Sequence, residues 1–180
     1  MPGTGLLSKF SFFSEVPPRT LDAIAAACSV LNFPRQAVVF RSGEPADTLY
    51  GLIEGEVELS LEVHDKTLKA DVQHEEAVHT QMVDHIREIV VDTVRPGQIF
   101  GWTALVGTGK RAVTARCAAS TRVCALAAAE LQSMLTHDAI LGRIVFKRLA
   151  EIISRRLNAR TDRLLEAWVE AFGASKVIPQ

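Results

Sequence analysis

Two periodicities divide the chain. From Val38 to about Ala127, short apolar runs are broken by turn residues; from Ala128 to Phe172, apolar residues recur at helical spacing. The clearest strand signal is Val57, Leu59 and Leu61 alternating with Glu56, Glu58, Ser60 and Glu62, which gives one apolar face. Leu49, Gly51 and Ile53 alternate in the same way just before it, so Gly55 between the two runs predicts a hairpin turn. Residues 37–40 read as a strand entering the turn cluster at 41–47, and 88–94 as a strand entering the Pro96-Gly97 turn. Residues 110–128 predict two strands broken near Ala118 to Thr121. Before all of these, Thr20 is placed to cap a helix through Leu21, Ile24 and Ala27 that ends at Phe33-Pro34.

This order predicts a mainly β protein with flanking helices: an antiparallel jelly-roll barrel and a long C-terminal helix. Residues 1–36 form an N-terminal helical segment and 37–130 the jelly roll, with a charged, irregular insertion at 64–90. The C-terminal helices take 131–172, and 173–180 is a tail. In the long helix Val145, Leu149, Ile153, Leu157, Leu164 and Trp168 line one side, and Arg143, Lys147, Arg148, Glu151, Arg155, Arg156, Arg160 and Arg163 the other. A helix of this length outruns a small barrel, so its exposed apolar side predicts a homodimer seam over 140–168.

Composition narrows the function classes. Twenty Lys and Arg against twenty-one Asp and Glu leave a formal charge of −1, so no global basic surface is offered to nucleic acid or to an anionic membrane. No apolar run reaches the ~18 residues that a membrane span needs, and the N-terminus lacks the pattern of a secretion signal. Cys28, Cys117 and Cys124 include no CxxC pair; they read as small buried residues in a reducing cytoplasm. His64, His74, His79 and His85 fall in the insertion at gaps that do not match paired helical metal ligands, so no metal site is expected and the segment reads as a polar loop or partner-contacting flap. Residues 104–111 match a Walker phosphate loop only at Gly109-Lys110, and no nucleophile or metal-binding cupin pattern appears. No enzyme is expected.

The most specific pattern has two parts. The first is Phe40, Gly43, Glu44, Ala46, Asp47, Leu49, Tyr50, Leu52, Ile53, Gly55 and Val57; the second is Pro96, Gly97, Phe100 and Gly101, with Arg111, Ala112 and Thr114 beyond. Together they resemble the cyclic-nucleotide-binding domain of the catabolite activator family and of the regulatory subunits of cyclic-AMP-dependent protein kinase. The resemblance covers roughly residues 7–170. It implies an eight-stranded jelly roll whose phosphate-binding loop cradles a cyclic phosphate, with an arginine at the Arg111 position as its partner. The residues themselves fit that chemistry. Gly101 permits close backbone approach, Thr103, Ala104 and Leu105 can start a short helix with free N–H groups, and Arg111 supplies charge and paired donors. Gly101, Trp102, Thr103, Ala104, Leu105, Arg111, Ala112 and, on the long helix, Thr161 form the candidate ligand-binding set.

The chain also departs from the family. Its loop reads Phe-Gly-Glu where cyclic AMP or cyclic GMP binds, the glutamate accepting from the ribose; here Trp102 replaces it and has no acceptor. Losing a hydrogen bond to a charged group costs about 1.5–3 kcal/mol. Ala112 lacks the hydroxyl that some members place beside the phosphate. Only residues 173–180 follow the long helix, so DNA binding through a following helix-turn-helix is not expected. The reading is a regulatory module that binds a cyclic nucleotide in an unusual way, or another phosphate-bearing effector, and signals through a protein partner. The alternative is a ligand-blind dimeric scaffold in which Trp102 closes the pocket, or in which Arg111 pairs with Glu44 or Glu54.

Overall fold

The computed structural model describes residues 4–71, 79–107 and 109–173, with 4, 64–71 and 79–85 described by backbone alone. Helices α1 (Thr4–Leu7) and α2 (Pro18–Ala27) lead into β1 (Cys28–Phe33). Seven further strands follow: β2 (Val38–Phe40), β3 (Thr48–Glu54), β4 (Val57–Asp71), β5 (His79–Val94), β6 (Ile99–Phe100), β7 (Thr114–Cys117) and β8 (Thr121–Ala127). Helices α3 (Ala128–His137) and α4 (Ala139–Phe172) complete the described chain.

The strands form two four-stranded antiparallel sheets in the orders β1-β8-β3-β6 and β2-β7-β4-β5. The jelly roll is therefore two facing sheets, with no hydrogen-bonded closure into a ring. Between them lies a core of Phe40, Leu52, Val57, Leu59, Val94, Phe100, Ala115, Cys117 and Val123. A second core joins the outer face of the first sheet to the helices through Phe10, Phe12, Ile24, Leu49, Leu126, Leu131, Leu141 and Leu149. The alternation of side chains along β3 and β8 supplies both cores from the same strands.

Four expectations are corrected. The first long helix starts at Pro18, because proline suits the first helical turn, so Thr20 lies inside it. It ends at Ala27, and residues 28–33 pair with β8 as a strand. Gly55 makes no hairpin: β3 pairs with β6 and β8, while β4 pairs with β5 and β7, so the chain passes between sheets there. Gly55 has φ +91°, and a Cβ would lie 2.4 Å from the Ser120 carbonyl oxygen, so only glycine fits this crossing. The insertion at 64–90 is not irregular where it is described. Residues 64–71 and 79–90 continue β4 and β5 as a paired ribbon, from Asp71 opposite His79 back to Ser60 opposite Val90. His74 lies outside the described residues.

The break before the long helix is chemical. Asp138 adopts an extended backbone, and its Oδ1 accepts from the backbone N–H groups of Ile140 and Leu141, each at 3.0 Å. This cap satisfies donors that a helix start leaves open and separates α3 from α4. Early in α4, Leu141, Ile144, Val145 and Leu149 are buried; farther along, Leu157, Leu164, Leu165, Trp168 and Phe172 are exposed. Among the described residues, no helix is long and apolar enough to cross a membrane.

Candidate functional site

The candidate loop begins where β6 ends. Gly101 is left-handed, with φ 71°, and turns the chain into a short 3-10 helix over Trp102–Ala104. The N–H groups of Ala104 and Leu105 are already used, by the carbonyls of Gly101 at 3.1 Å and Trp102 at 2.9 Å. The tight turn thus closes on itself and does not present those two donors outward. Ala104 and Leu105 are buried in the helix-side core, and Trp102 packs half-buried against the same core. Trp102 therefore stays out of the aromatic centre between the sheets.

Arg111 occupies that centre's edge. Its side chain crosses to the loop, where Nη1 donates to the Gly101 carbonyl and Nη2 to the Thr48 carbonyl, both at 2.9 Å. The guanidinium lies over the Phe40 ring at 4.3 Å and near the Tyr50 ring at 5.6 Å. Phe40, Tyr50 and Phe100 stack around it, with ring centroids 5.2–6.1 Å apart. The backbone holds the base of the arrangement by reciprocal bonds: Gly43 N–H to the Arg111 carbonyl and Arg111 N–H to the Glu44 carbonyl. Arg111 thus fills the space before Gly101, where a Cβ would lie 2.8 Å from Nη1.

The charge is buried but poorly matched. Arg111 is 3% exposed. Its nearest paired carboxylate is Asp47, at 3.6 Å from Nη2, and that side chain is 81% exposed. Glu44 instead accepts from the Arg41 N–H, and Glu54 pairs with Arg122 at 2.7 Å. Nε of Arg111 is buried with no hydrogen-bond partner. Burial pushes the Arg111 pKa down, opposed by Tyr50, Asp47 and Glu44; burial also pushes the Tyr50 hydroxyl up. A guanidinium keeps its charge through such shifts, so the site holds a buried cation whose Nε makes no hydrogen bond.

The remaining candidates divide. Ala112 follows Arg111 in the loop and is exposed, and Thr103 is half-buried in the 3-10 turn. Thr161 is exposed on α4 and donates to the Leu157 carbonyl of its own helix at 3.0 Å. Among the described residues, no hydrogen bond joins it to the 101–111 segment. The candidate ligand-binding set left out Thr48, Tyr50 and Asp47: Asp47 and Tyr50 stood in the two-part pattern without a role at the site, and Thr48 contributes a carbonyl, which no side-chain pattern reveals.

A family model of the cyclic nucleotide-binding domain matches residues 30–138, more than half of the chain, so the protein belongs to the cyclic nucleotide-binding domain family. The chain is 22% identical over 161 residues to a CRP-like cAMP-activated global transcriptional regulator of Mycobacterium tuberculosis, covering 89% of this chain and 61% of that one. It is 25% identical over 153 residues to a protein described as a potassium channel in Rhodopseudomonas palustris, covering 85% of this chain and 32% of that one. It therefore spans about three-fifths and one-third of these relatives. A cyclic nucleotide-binding domain from Methylobacillus flagellatus superposes with a TM-score of 0.67 at 18% identity, covering 97% of this chain and 84% of that one.

Proposed function

We propose that the protein is a non-catalytic regulatory module of the cytoplasm that binds a small phosphate-bearing ligand at the Gly101–Arg111 loop and signals through a protein partner. Its nucleotide specificity is divergent, with weak affinity for cyclic AMP and cyclic GMP. One observation carries this reading: a buried guanidinium whose nearest carboxylate is 3.6 Å away and exposed, and whose Nε has no partner. Burying a charge without a close, buried counter-ion is costly, and an anionic ligand offsets that cost. Trp102 in place of an acceptor argues against the usual ribose contact.

The second reading, a scaffold that no longer binds a ligand, is favoured by the two carbonyls that each take one N–H of Nη1 and Nη2. A ligand must fit beside those bonds or displace them. A thermal-shift screen against cyclic mononucleotides, cyclic dinucleotides and linear nucleotides separates the two. Sensing requires at least one ligand to raise the melting temperature with saturation, because a ligand bound only by the folded state stabilises it. No shift with any of them supports the scaffold.

The same proposal includes a homodimer. Leu157, Thr161, Leu164 and Trp168 step by four, three and four residues along the exposed part of α4, which is the spacing of a coiled-coil seam. Such a seam is self-complementary, so a second copy of this helix is the partner it fits. Thr161 then lies in the seam.

A further inference from the structure

A second basic site lies away from the loop. Between α4 and the ends of β5 and β6 is a cleft of about 240 Å³. Arg155, Arg156, Arg160 and Arg163 line it from the helix, and Asp92 is the one carboxylate among its lining residues. None of residues 101–111 contributes to it.

That carboxylate already faces a cation. Asp92 Oδ1 accepts from the Thr93 N–H at 2.8 Å, and Oδ2, which makes no hydrogen bond, sits 3.2 Å from Arg156 Nε as an ion pair. Arg156 also donates from Nη2 to the Ile99 carbonyl at 2.9 Å, so Asp92 and the sheet hold it in place. Arg163 points the same way, its Nη1 donating to the Val91 carbonyl at 3.1 Å. Four arginines thus line a cleft whose one lining carboxylate is paired with Arg156. Burial lowers the Arg156 pKa; Asp92 opposes that, while Arg160 and Arg155 add to it, so the positive charges repel one another.

The helix geometry makes this arrangement specific. Arg156, Arg160 and Arg163 fall at i, i+4 and i+7, one stripe of α4, where like charges are unfavourable neighbours. The exposed row of Leu157, Leu164 and Trp168 is rotated roughly 95° from that stripe at 100° per residue. A seam along the apolar row therefore leaves the arginine stripe facing the cleft.

We propose that this cleft is a second anion site, which takes a small molecule bearing two adjacent phosphate groups. Charge and size both select this class. Beyond the Asp92 pair three cationic groups remain, and two phosphates carry about three to four negative charges. The guanidinium forks suit phosphate oxygens, and Thr93 and Gln98 line the same cleft with neutral polar groups. The volume falls short of the roughly 300–1,000 Å³ of sites that enclose a drug-sized ligand, so a diphosphate group is held and the rest of its carrier extends outward. This site stands independently of the reading of the Gly101–Arg111 loop.

The test is calorimetry of the full chain with inorganic pyrophosphate, with sulfate at matched ionic strength as control. Pyrophosphate is expected to bind once per chain, at least tenfold more tightly than sulfate. Arg160→Gln with Arg163→Gln should weaken it at least tenfold while leaving the melting temperature nearly unchanged, and Arg156→Gln should weaken it in the same direction. Arg111→Met should leave it unaltered. Equal binding of sulfate and pyrophosphate overturns the proposal, as does an undiminished affinity in the double variant. Loss of pyrophosphate binding in Arg111→Met would assign the anion to the loop instead and also overturns it. A DNA duplex that binds more tightly than pyrophosphate, and is released by the same double substitution, would make the stripe a nucleic-acid surface and reject the small-ligand site.

Discussion

The carbonyl of Gly101 accepts a hydrogen bond at 2.9 Å from Nη1 of Arg111, so the turn and the cation of the candidate site hold each other. Gly101 makes this approach because its left-handed backbone turns sharply and carries no Cβ against the guanidinium. The resulting site is closed by its own arginine. On the proposed reading an entering phosphate meets the N–H groups that the two carbonyls leave over, Nε among them.

If Arg111 serves a ligand, the fold should tolerate its loss. Replacing a buried, poorly paired charge by an apolar side chain of similar length is often neutral or stabilising. Arg111→Met should change unfolding stability by no more than about 1.5 kcal/mol in urea titrations. A loss above about 3 kcal/mol would make Arg111 a structural tie between Thr48 and Gly101, the scaffold reading.

At Gly55 the crossing between the sheets leaves no room. Gly55→Ala sets a Cβ against the Ser120 carbonyl and against Thr121, at a positive φ. We expect a destabilisation of at least about 3 kcal/mol, read as a fall in melting temperature. A mild effect would show that the crossing can relax.

The ribbon base gives a pH dependence. Glu88 is held below its ordinary value, first by the hydrogen bond from Ser60 Oγ, which burial opposes, and then by Arg116, 3.4 Å away. A carboxyl with a lowered folded pKa contributes stability above its unfolded pKa, and loses it as pH falls through the folded value. Ser60→Ala should therefore be less stable than wild type at neutral pH and approach it in acid. Urea melts between about pH 7 and pH 3 check this; parallel curves would remove the linkage.

Dimerisation is read directly by sedimentation. The wild-type chain should be a dimer at tens of micromolar, and Leu157→Glu with Leu164→Glu a folded monomer, because the seam would bury two carboxylates per helix. A monomeric wild type contradicts the seam.

Much of the fold was legible because burial wrote it into the chain. Val57 and Leu59 alternate with polar residues because one face of β4 meets the core, although past the register shift at Leu59/Ser60 it is Ser60 that is buried and Leu61 that is exposed. Arg111 stood out through its spacing from Gly101. β1 was hidden: Cys28 alone is fully buried, Val30 and Leu31 are exposed, and no period of two survives. The ribbon of β4 and β5 was hidden for a related reason. Beyond Ser60, among the described residues, no third strand pairs with it, so backbone pairing shapes it more than a buried face. Gly55 announced a special backbone, yet a hairpin and a passage between sheets make the same local demand. At the site, the partners of Arg111 are carbonyl groups, which every residue carries and no sequence pattern marks.

The central claim is that Arg111 meets an incoming phosphate, and its Nε–Hε resonance tests this most directly. The signal is assigned by its absence in Arg111→Met and followed while cyclic AMP, used as a weak probe, is raised to millimolar concentration. The account predicts a saturable shift of that one resonance with a midpoint near about 1 mM, an affinity of about 4 kcal/mol. No movement at saturating probe, or a shift that Arg111→Met leaves in place on neighbouring groups, would contradict it.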